Sequence, residues 1–112
     1  MKNILLTGGG GGIAKAIAPL LPADSYRLLL TTRAGDALAS FCKEHSIQAE
    51  VFSADLTVQT EVEALFEWTN SFGGVDILIN NAGVSHAAAS WKLSAEELHR
   101  LMEVNFYSAV RC

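Results

Sequence analysis

The apolar positions of this chain fall into short unbroken runs separated by longer segments of helical period. Ile4-Leu5-Leu6, Leu28-Leu29-Leu30, Val51-Phe52 and Ile77-Leu78-Ile79 are the runs. A continuous run, as opposed to in-out alternation, marks a strand buried on both faces. Strands are therefore predicted over residues 2–7, 26–32, 47–53 and 75–80. A first helix is predicted over residues 12–21, with Ile13, Ile17, Leu20 and Leu21 on its inward stripe, alanines allowing close packing, and Pro19 disturbing its last turn. Asp36 is the candidate cap of a second helix, to about Glu44, with Leu38 and Phe41 inward. Thr57 is the candidate cap of a third, over residues 58–71, which turns Val62, Leu65, Phe66 and Thr69 inward and stops at Gly73-Gly74. Residues 84–93 carry no period and read as a loop or short helical turn. Ser94 and Glu97 have capping-box spacing and open a last helix whose Leu98, Leu101, Met102, Asn105 and Ala109 share a face.

Strand and helix thus alternate four times with short connections. That is the pattern of a parallel α/β sheet with helices on both sides. At 112 residues and half apolar composition the chain is one domain able to bury a core.

The first strand runs into five consecutive glycines, Gly8 to Gly12, and a helix begins directly after them. Bare backbone at a helix N-terminus suits a phosphate, because the first amides lack partners and the helix dipole favours an anion. A nucleoside-triphosphatase loop needs Gly-Lys before Ser or Thr. Lys15 stands between Ala14 and Ala16, which excludes it. The alternative is a flexible turn without a ligand, although five glycines exceed what a turn requires. A dinucleotide site usually places an acidic residue about 20 positions on, at the end of the second strand. Thr31-Thr32-Arg33 stands there instead. Arg33 could pair bidentately with a 2′-phosphate, favouring NADP over NAD; the competing reading is a solvated arginine at a strand end.

The net charge of −4 comes from scattered carboxylates with no basic cluster, so nucleic acid and acidic membrane surfaces are not expected partners. No apolar stretch approaches the roughly 20 residues of a membrane span. Cys42 and Cys112 are seventy positions apart and suggest no disulfide framework. Cys42 and His45 are too few to argue for a metal site, and none is expected. A soluble cytoplasmic protein is the expectation.

Thr7 to Ala14, Asp55-Leu56, Asn80-Asn81-Ala82-Gly83 and Asn105 in Val104-Asn105-Phe106 together resemble the short-chain dehydrogenase/reductase family, in order and spacing over the whole chain. The glycines fit two branches of that family: Gly8 and Gly12 match the short branch, Gly8 and Gly11 the extended one. Asn80-Asn81-Ala82-Gly83 decides for the short branch. Ala14 stands where the third motif glycine is usual, and Gly11 where many NADP-using members carry a basic residue, so the NADP expectation rests on Arg33.

The resemblance implies a Rossmann-type doubly wound sheet in three αβα layers, here incomplete with about four strands. It implies that Thr7, Gly8, Gly10, Gly11, Gly12 and Ile13 form the pyrophosphate cradle. Asp55 and Leu56 would flank the adenine, and Asn81, Ala82 and Gly83 would run beside a cofactor ribose. Asn105 would be the catalytic-site asparagine that holds a water in a proton relay. From the residues alone Asn105 is already unusual, because an amide on an apolar helix face must find partners; a buried amide satisfied by backbone is the alternative.

The family's serine and Tyr-x-x-x-Lys are not found. Tyr26 has Leu30 four residues on, and Tyr107 has Arg111, which lacks the tunable ammonium of lysine. The expectation is the N-terminal, cofactor-binding part of an NADP(H)-dependent oxidoreductase that acts on a small carbonyl or alcohol, cut before its catalytic region and inactive alone, from a parent expected to be a homo-oligomer. The competing class is a non-catalytic nucleotide-binding or interaction module.

Overall fold

Each predicted apolar run forms a strand, and the four strands make one parallel sheet: β1 (Lys2–Thr7), β2 (Tyr26–Thr32), β3 (Ala49–Ser53) and β4 (Ile77–Ile79), in the order β3-β2-β1-β4. The structure, a computed structural model, describes residues 1–85 and 89–112. Three helices connect the strands: α1 (Gly12–Ile17), α2 (Gly35–Glu44) and α3 (Gln59–Asn70). Successive residues of each run face opposite sides. Ile4, Leu6, Leu28 and Leu30 pack against Ala14 and Ala18 on one side and Leu38 and Cys42 of α2 beyond them. Leu5 and Leu29 pack with Val62 and Leu65 of α3 on the other side. The result is the three-layer Rossmann-type arrangement, with an incomplete sheet.

The strand order explains where a site can form. From β1 the chain steps one way to β2 and β3, then crosses back to place β4 on the other flank of β1. This reversal of strand order at β1 marks the switch point of the sheet, where doubly wound folds take ligands in the crevice at the carboxyl ends of the strands.

Several local expectations are corrected. In α1 the buried residue is Ala14, and Ala18 follows it inward, while Ile13 and Leu20 are 67% and 79% exposed. Ile17 and Leu21 of the predicted stripe do pack against the core, partly buried, beside the buried alanines. Pro19 cannot continue the helix, and a 3₁₀ turn covers Ala18–Leu20. The N-cap position of α2 is Ala34, not Asp36, which lies in the first turn. The N–H of Gly35 instead donates to Ser53 Oγ at the end of β3, 3.1 Å away. Helix α3 starts from Val58 because Thr57 is engaged elsewhere: its hydroxyl donates to Asp55 Oδ1. Strand β3 starts at Ala49, since the Ile47 N–H is spent on the Cys42 carbonyl at the turn after α2. Strand β4 keeps only the three residues that pair with Ile4, Leu5 and Leu6.

Gly73 and Gly74 end α3 with φ of +99° and +88°, a left-handed conformation that glycine takes without strain. Asn3 latches that turn to β1, its Nδ2 donating to the carbonyls of Phe72 and Gly74 at 2.9 and 2.7 Å.

A 3₁₀ turn at Ser90–Lys92 lies in the aperiodic stretch; residues 86–88 of that stretch lie outside the described residues. The capping box forms in both directions, Glu97 N–H to Ser94 Oγ and Ser94 N–H to the Glu97 carboxylate, at 3.1 and 2.9 Å. The last helix is not continuous. It divides into α4 (Ala95–Met102), a π turn over Glu103–Tyr107 and α5 (Ser108–Arg111). The π turn inserts extra rotation, so the single predicted face breaks up. Leu98 and Met102 are 51% and 43% exposed, Asn105 is exposed, and Leu101 and Ala109 are half-buried.

Candidate cofactor site

At the crevice lies an open cavity of about 380 Å³, a size ordinary for a small-molecule site. Its walls come from five places in the chain. Gly8, Gly11, Gly12 and Ile13 belong to the glycine loop and the start of α1; Thr31, Thr32 and Arg33 end β2. Residues 54–57 follow β3, residues 81–84 follow β4, and Val104 and Ser108 come from the last helix.

The glycine loop is held from both flanks. Gly8 has a φ of +63°, and a Cβ there would meet Ala82 Cα at 2.8 Å. Side-chain bulk is therefore excluded where the two loops touch. The N–H of Gly9 donates to the Thr31 carbonyl at 2.9 Å, tying the loop to β2. The N–H of Gly11 returns to the Gly8 carbonyl at 3.0 Å and closes the turn. Gly12 and Ile13 open α1, where the first amides of a helix have no intrahelical acceptor.

Thr7 and Gly10 do not line the cavity. Thr7 is buried, and its hydroxyl oxygen accepts from the N–H groups of Asn81 and Ala82 at 3.0 and 3.1 Å. The Asn81 amide donates to the carbonyls of Thr7 and Gly8 at 3.2 and 3.3 Å. Thr7 and Asn81 thus weld the two loops together. Gly10 is exposed and faces Thr32, with space for a Cβ at 3.4 Å from Thr32 Oγ1.

On the β3 side Asp55 is held ionised. Its Oδ1 accepts from the Thr57 hydroxyl at 2.6 Å and the Thr57 N–H at 3.0 Å, and these two bonds hold its carboxyl below the usual carboxylate range. Partial burial works against them, and the Arg33 guanidinium adds a smaller lowering. Both bonds use Oδ1, which leaves Oδ2 free of them. Arg33 is exposed and lines the same cavity. Leu56 is buried beside Asp55 and shares the cavity wall.

Asn105 stands behind the wall. Its Oδ1 accepts from the Val84 N–H at 2.7 Å and its Nδ2 donates to the Val84 carbonyl at 2.8 Å. The amide is satisfied by backbone, as the alternative sequence reading had it, though in an exposed place. Gly83 sits against it, a Cβ there reaching Asn105 Oδ1 at 3.1 Å.

Ten of the expected residues therefore gather at one cavity: Gly8, Gly11, Gly12, Ile13, Arg33, Asp55, Leu56, Asn81, Ala82 and Gly83. Sequence reasoning missed Ala54, Thr57, Val84, Val104 and Ser108, and noted Thr31 and Thr32 without assigning them. Thr57 had a readable signal, since Asp followed two residues later by Thr is a side-chain-bonded turn. Ser108 had none, because the π turn sets which way it faces. Neither Tyr26 nor Tyr107 lines the cavity. Among the described residues no group of three or more His, Cys, Asp or Glu gathers, and no helix is long and apolar enough to cross a membrane.

The family model for short chain dehydrogenases matches residues 2–112. A diacetyl reductase of Staphylococcus epidermidis is 31% identical over 97% of this chain and 44% of its own length. A D-beta-hydroxybutyrate dehydrogenase of Cupriavidus necator is 33% identical over 96% of this chain and 43% of its own. Among solved structures, a 3-ketoacyl-(acyl-carrier-protein) reductase from Brucella melitensis in complex with NADH superposes with a TM-score of 0.88, at 28% identity over 98% of this chain and 46% of that one. An actinorhodin polyketide ketoreductase with NADPH gives 0.86, at 27% identity over 98% and 44%. The chain thus spans less than half the length of the relatives it matches. With its parallel sheet, glycine loop and Asn80-Asn81-Ala82-Gly83 segment, the chain belongs to the short-chain dehydrogenase/reductase family.

Proposed function

We propose that this chain is the cofactor-binding part of an oxidoreductase that uses NADP(H) to interconvert a small carbonyl compound and its alcohol. The observation that carries the reading is the cavity itself, which brings the glycine loop, Arg33, Asp55-Leu56 and Asn81-Ala82-Gly83 around one volume.

The residues fit a dinucleotide. Gly8 leaves no room for a side chain between the two loops, so backbone is what a pyrophosphate would meet. The free Asp55 Oδ2 can accept from an adenine amino group while Leu56 packs on the ring. The exposed Arg33 guanidinium, whose influence on Asp55 is the smallest of those acting on that carboxyl, can turn to a 2′-phosphate, and the end of β2 itself carries no carboxylate. When bound, the nicotinamide supplies the hydride chemistry. In this reading the chain's own residues bind and orient. Asn105, with its carboxamide committed to Val84, acts by fixing the loop beyond Gly83. The serine and Tyr-x-x-x-Lys that complete the family's site belong to the longer parent, as does the substrate pocket. The reading is supported by relatives that are reductases and dehydrogenases and by solved neighbours that hold NADH and NADPH.

Calorimetric titration of NADPH and NADH against the protein and Arg33→Ala tests it. NADPH should bind about tenfold more tightly than NADH, a margin of about 1.4 kcal/mol, and Arg33→Ala should remove the margin. An unchanged margin would remove Arg33 from the site, and failure of both nucleotides to bind would contradict the cofactor reading.

A further inference from the structure

We infer that Arg111 is a positioning residue that fixes the Asp55-Leu56-Thr57 turn, and through it the adenine end of the cavity; the second half of this statement rests on the cofactor reading above. Arg111 is half-buried near the end of the last helix. One arm of its guanidinium, Nη1, donates to the Leu56 carbonyl at 3.3 Å, and the other, Nη2, pairs with the Glu103 carboxylate. Leu56 lies between Asp55 and Thr57 in the turn that lines the cavity.

The other fastenings of that turn come from its own neighbourhood. Thr57 bonds to Asp55, the Asp55 N–H donates to Glu61 Oε1 at 3.0 Å, and the Ala54 N–H donates to the Thr32 carbonyl at 3.0 Å. None of these reaches the last helix. Arg111 does, and Asn105 makes the matching connection from the same helix to Val84 across the cavity. Val104, just before the first tether, and Ser108, between the two, line the cavity, and Ser108 Oγ donates to the Glu103 carbonyl at 2.8 Å across the π turn. The last helix is therefore pinned both to the turn after β3 and to the loop after β4, each of which lines the cavity. Arginine suits the task because its planar fork serves two acceptors at once, whereas a lysine ammonium has no such fixed fork.

The test uses Arg111→Ala, Arg111→Lys and Glu103→Gln. In the ligand-free protein the Val58 amide, which donates to the Asp55 carbonyl at 3.1 Å, should exchange with solvent about five- to tenfold faster in Arg111→Ala. Calorimetry should show NADPH affinity weakened about five- to tenfold. Affinity for nicotinamide mononucleotide, which lacks the adenosine, should stay within twofold by ligand-observed NMR. Arg111→Lys should recover part of the loss, and Glu103→Gln should lie between the parent and the alanine variant. Unchanged Val58 exchange would overturn the tether, whatever the nucleotide does. Faster exchange with NADPH affinity unchanged, or with both ligands weakened equally, would overturn its role at the adenine end. Absence of NADPH binding to the unsubstituted protein would contradict the cofactor reading and leave the exchange result to decide the tether.

Discussion

A Cβ built on Gly8 would lie 2.8 Å from the Cα of Ala82, at a backbone φ of +63°. Two requirements meet at this residue: a left-handed backbone and contact with a neighbouring main chain that cannot yield as a flexible side chain would. Gly8→Ala should therefore destabilise the protein by about 1–2 kcal/mol from the backbone conformation alone, with the clash added, and lower the melting temperature by at least about 5 °C. Gly12→Ala is the control. Nothing lies within 4 Å of a Cβ there and its φ is ordinary, so its melting temperature should equal or exceed the parent's. Equal melting temperatures for Gly8→Ala and the parent would show that the two loops are not in contact.

The contrast between Gly8 and Gly12 also shows what the sequence could and could not reveal. Unbroken apolar runs such as Leu28-Leu29-Leu30 made the strands legible, and burial on both faces holds for β1 and β2, whereas β3 and β4, at the edges of the sheet, are only half-buried. The glycine loop and Asn80-Asn81-Ala82-Gly83 were legible because their work is done by backbone, and motifs of small residues record backbone requirements. Features fixed by a distant partner were not. Ser53, eighteen residues along the chain, supplies the acceptor at the start of α2. Thr57 looked like a cap, yet its hydroxyl belongs to Asp55. The inward face of α1 depends on how the helix is rotated against the sheet, which buries Ala14 and exposes Ile13. The π turn at Glu103–Tyr107 has no sequence signature of its own, and with it went the exposure of Asn105 and the placement of Ser108.

Asn105 uses both ends of its carboxamide on the backbone of one residue, Val84. Asn105→Ala should cost about 0.5–1.5 kcal/mol, because the Val84 N–H and carbonyl lose their partner together at a place that water can reach. Urea denaturation measures the cost. A change under about 0.5 kcal/mol would show that water replaces the amide freely.

Asn3 offers a comparable case at the opposite end of the sheet. It is buried, and its Nδ2 serves two carbonyls of the turn after α3. Asn3→Ala should lower stability by about 1–3 kcal/mol and speed amide exchange at Gly73 and Gly74. Loss of stability without faster exchange in that turn would mean that Asn3 does not hold it.

The Asp55 carboxyl is depressed in the folded state, first by the Thr57 hydroxyl and then by the Thr57 N–H. The unfolded value is about 3.9. Its contribution is therefore complete above that value and fades as pH falls through the lower folded one. Thr57→Val removes the stronger donor. The Asp55 midpoint, followed by carboxyl NMR, should move up, and the stability difference between parent and variant should be larger at pH 7 than at pH 3. An unmoved midpoint would show that the hydroxyl is not the main cause.

The most direct test of the site is NMR titration of the isotope-labelled protein with NADPH, following every resolved backbone amide. Shifts should concentrate at Gly8, Gly11, Gly12 and Ile13, at Thr32 and Arg33, at Asp55 and Leu56, and at Asn81, Ala82 and Gly83. Saturating NADPH that leaves these amides unmoved, or that shifts instead the second cavity at the other end of the sheet, around Tyr26, Arg27 and Gln48, would rule the site out.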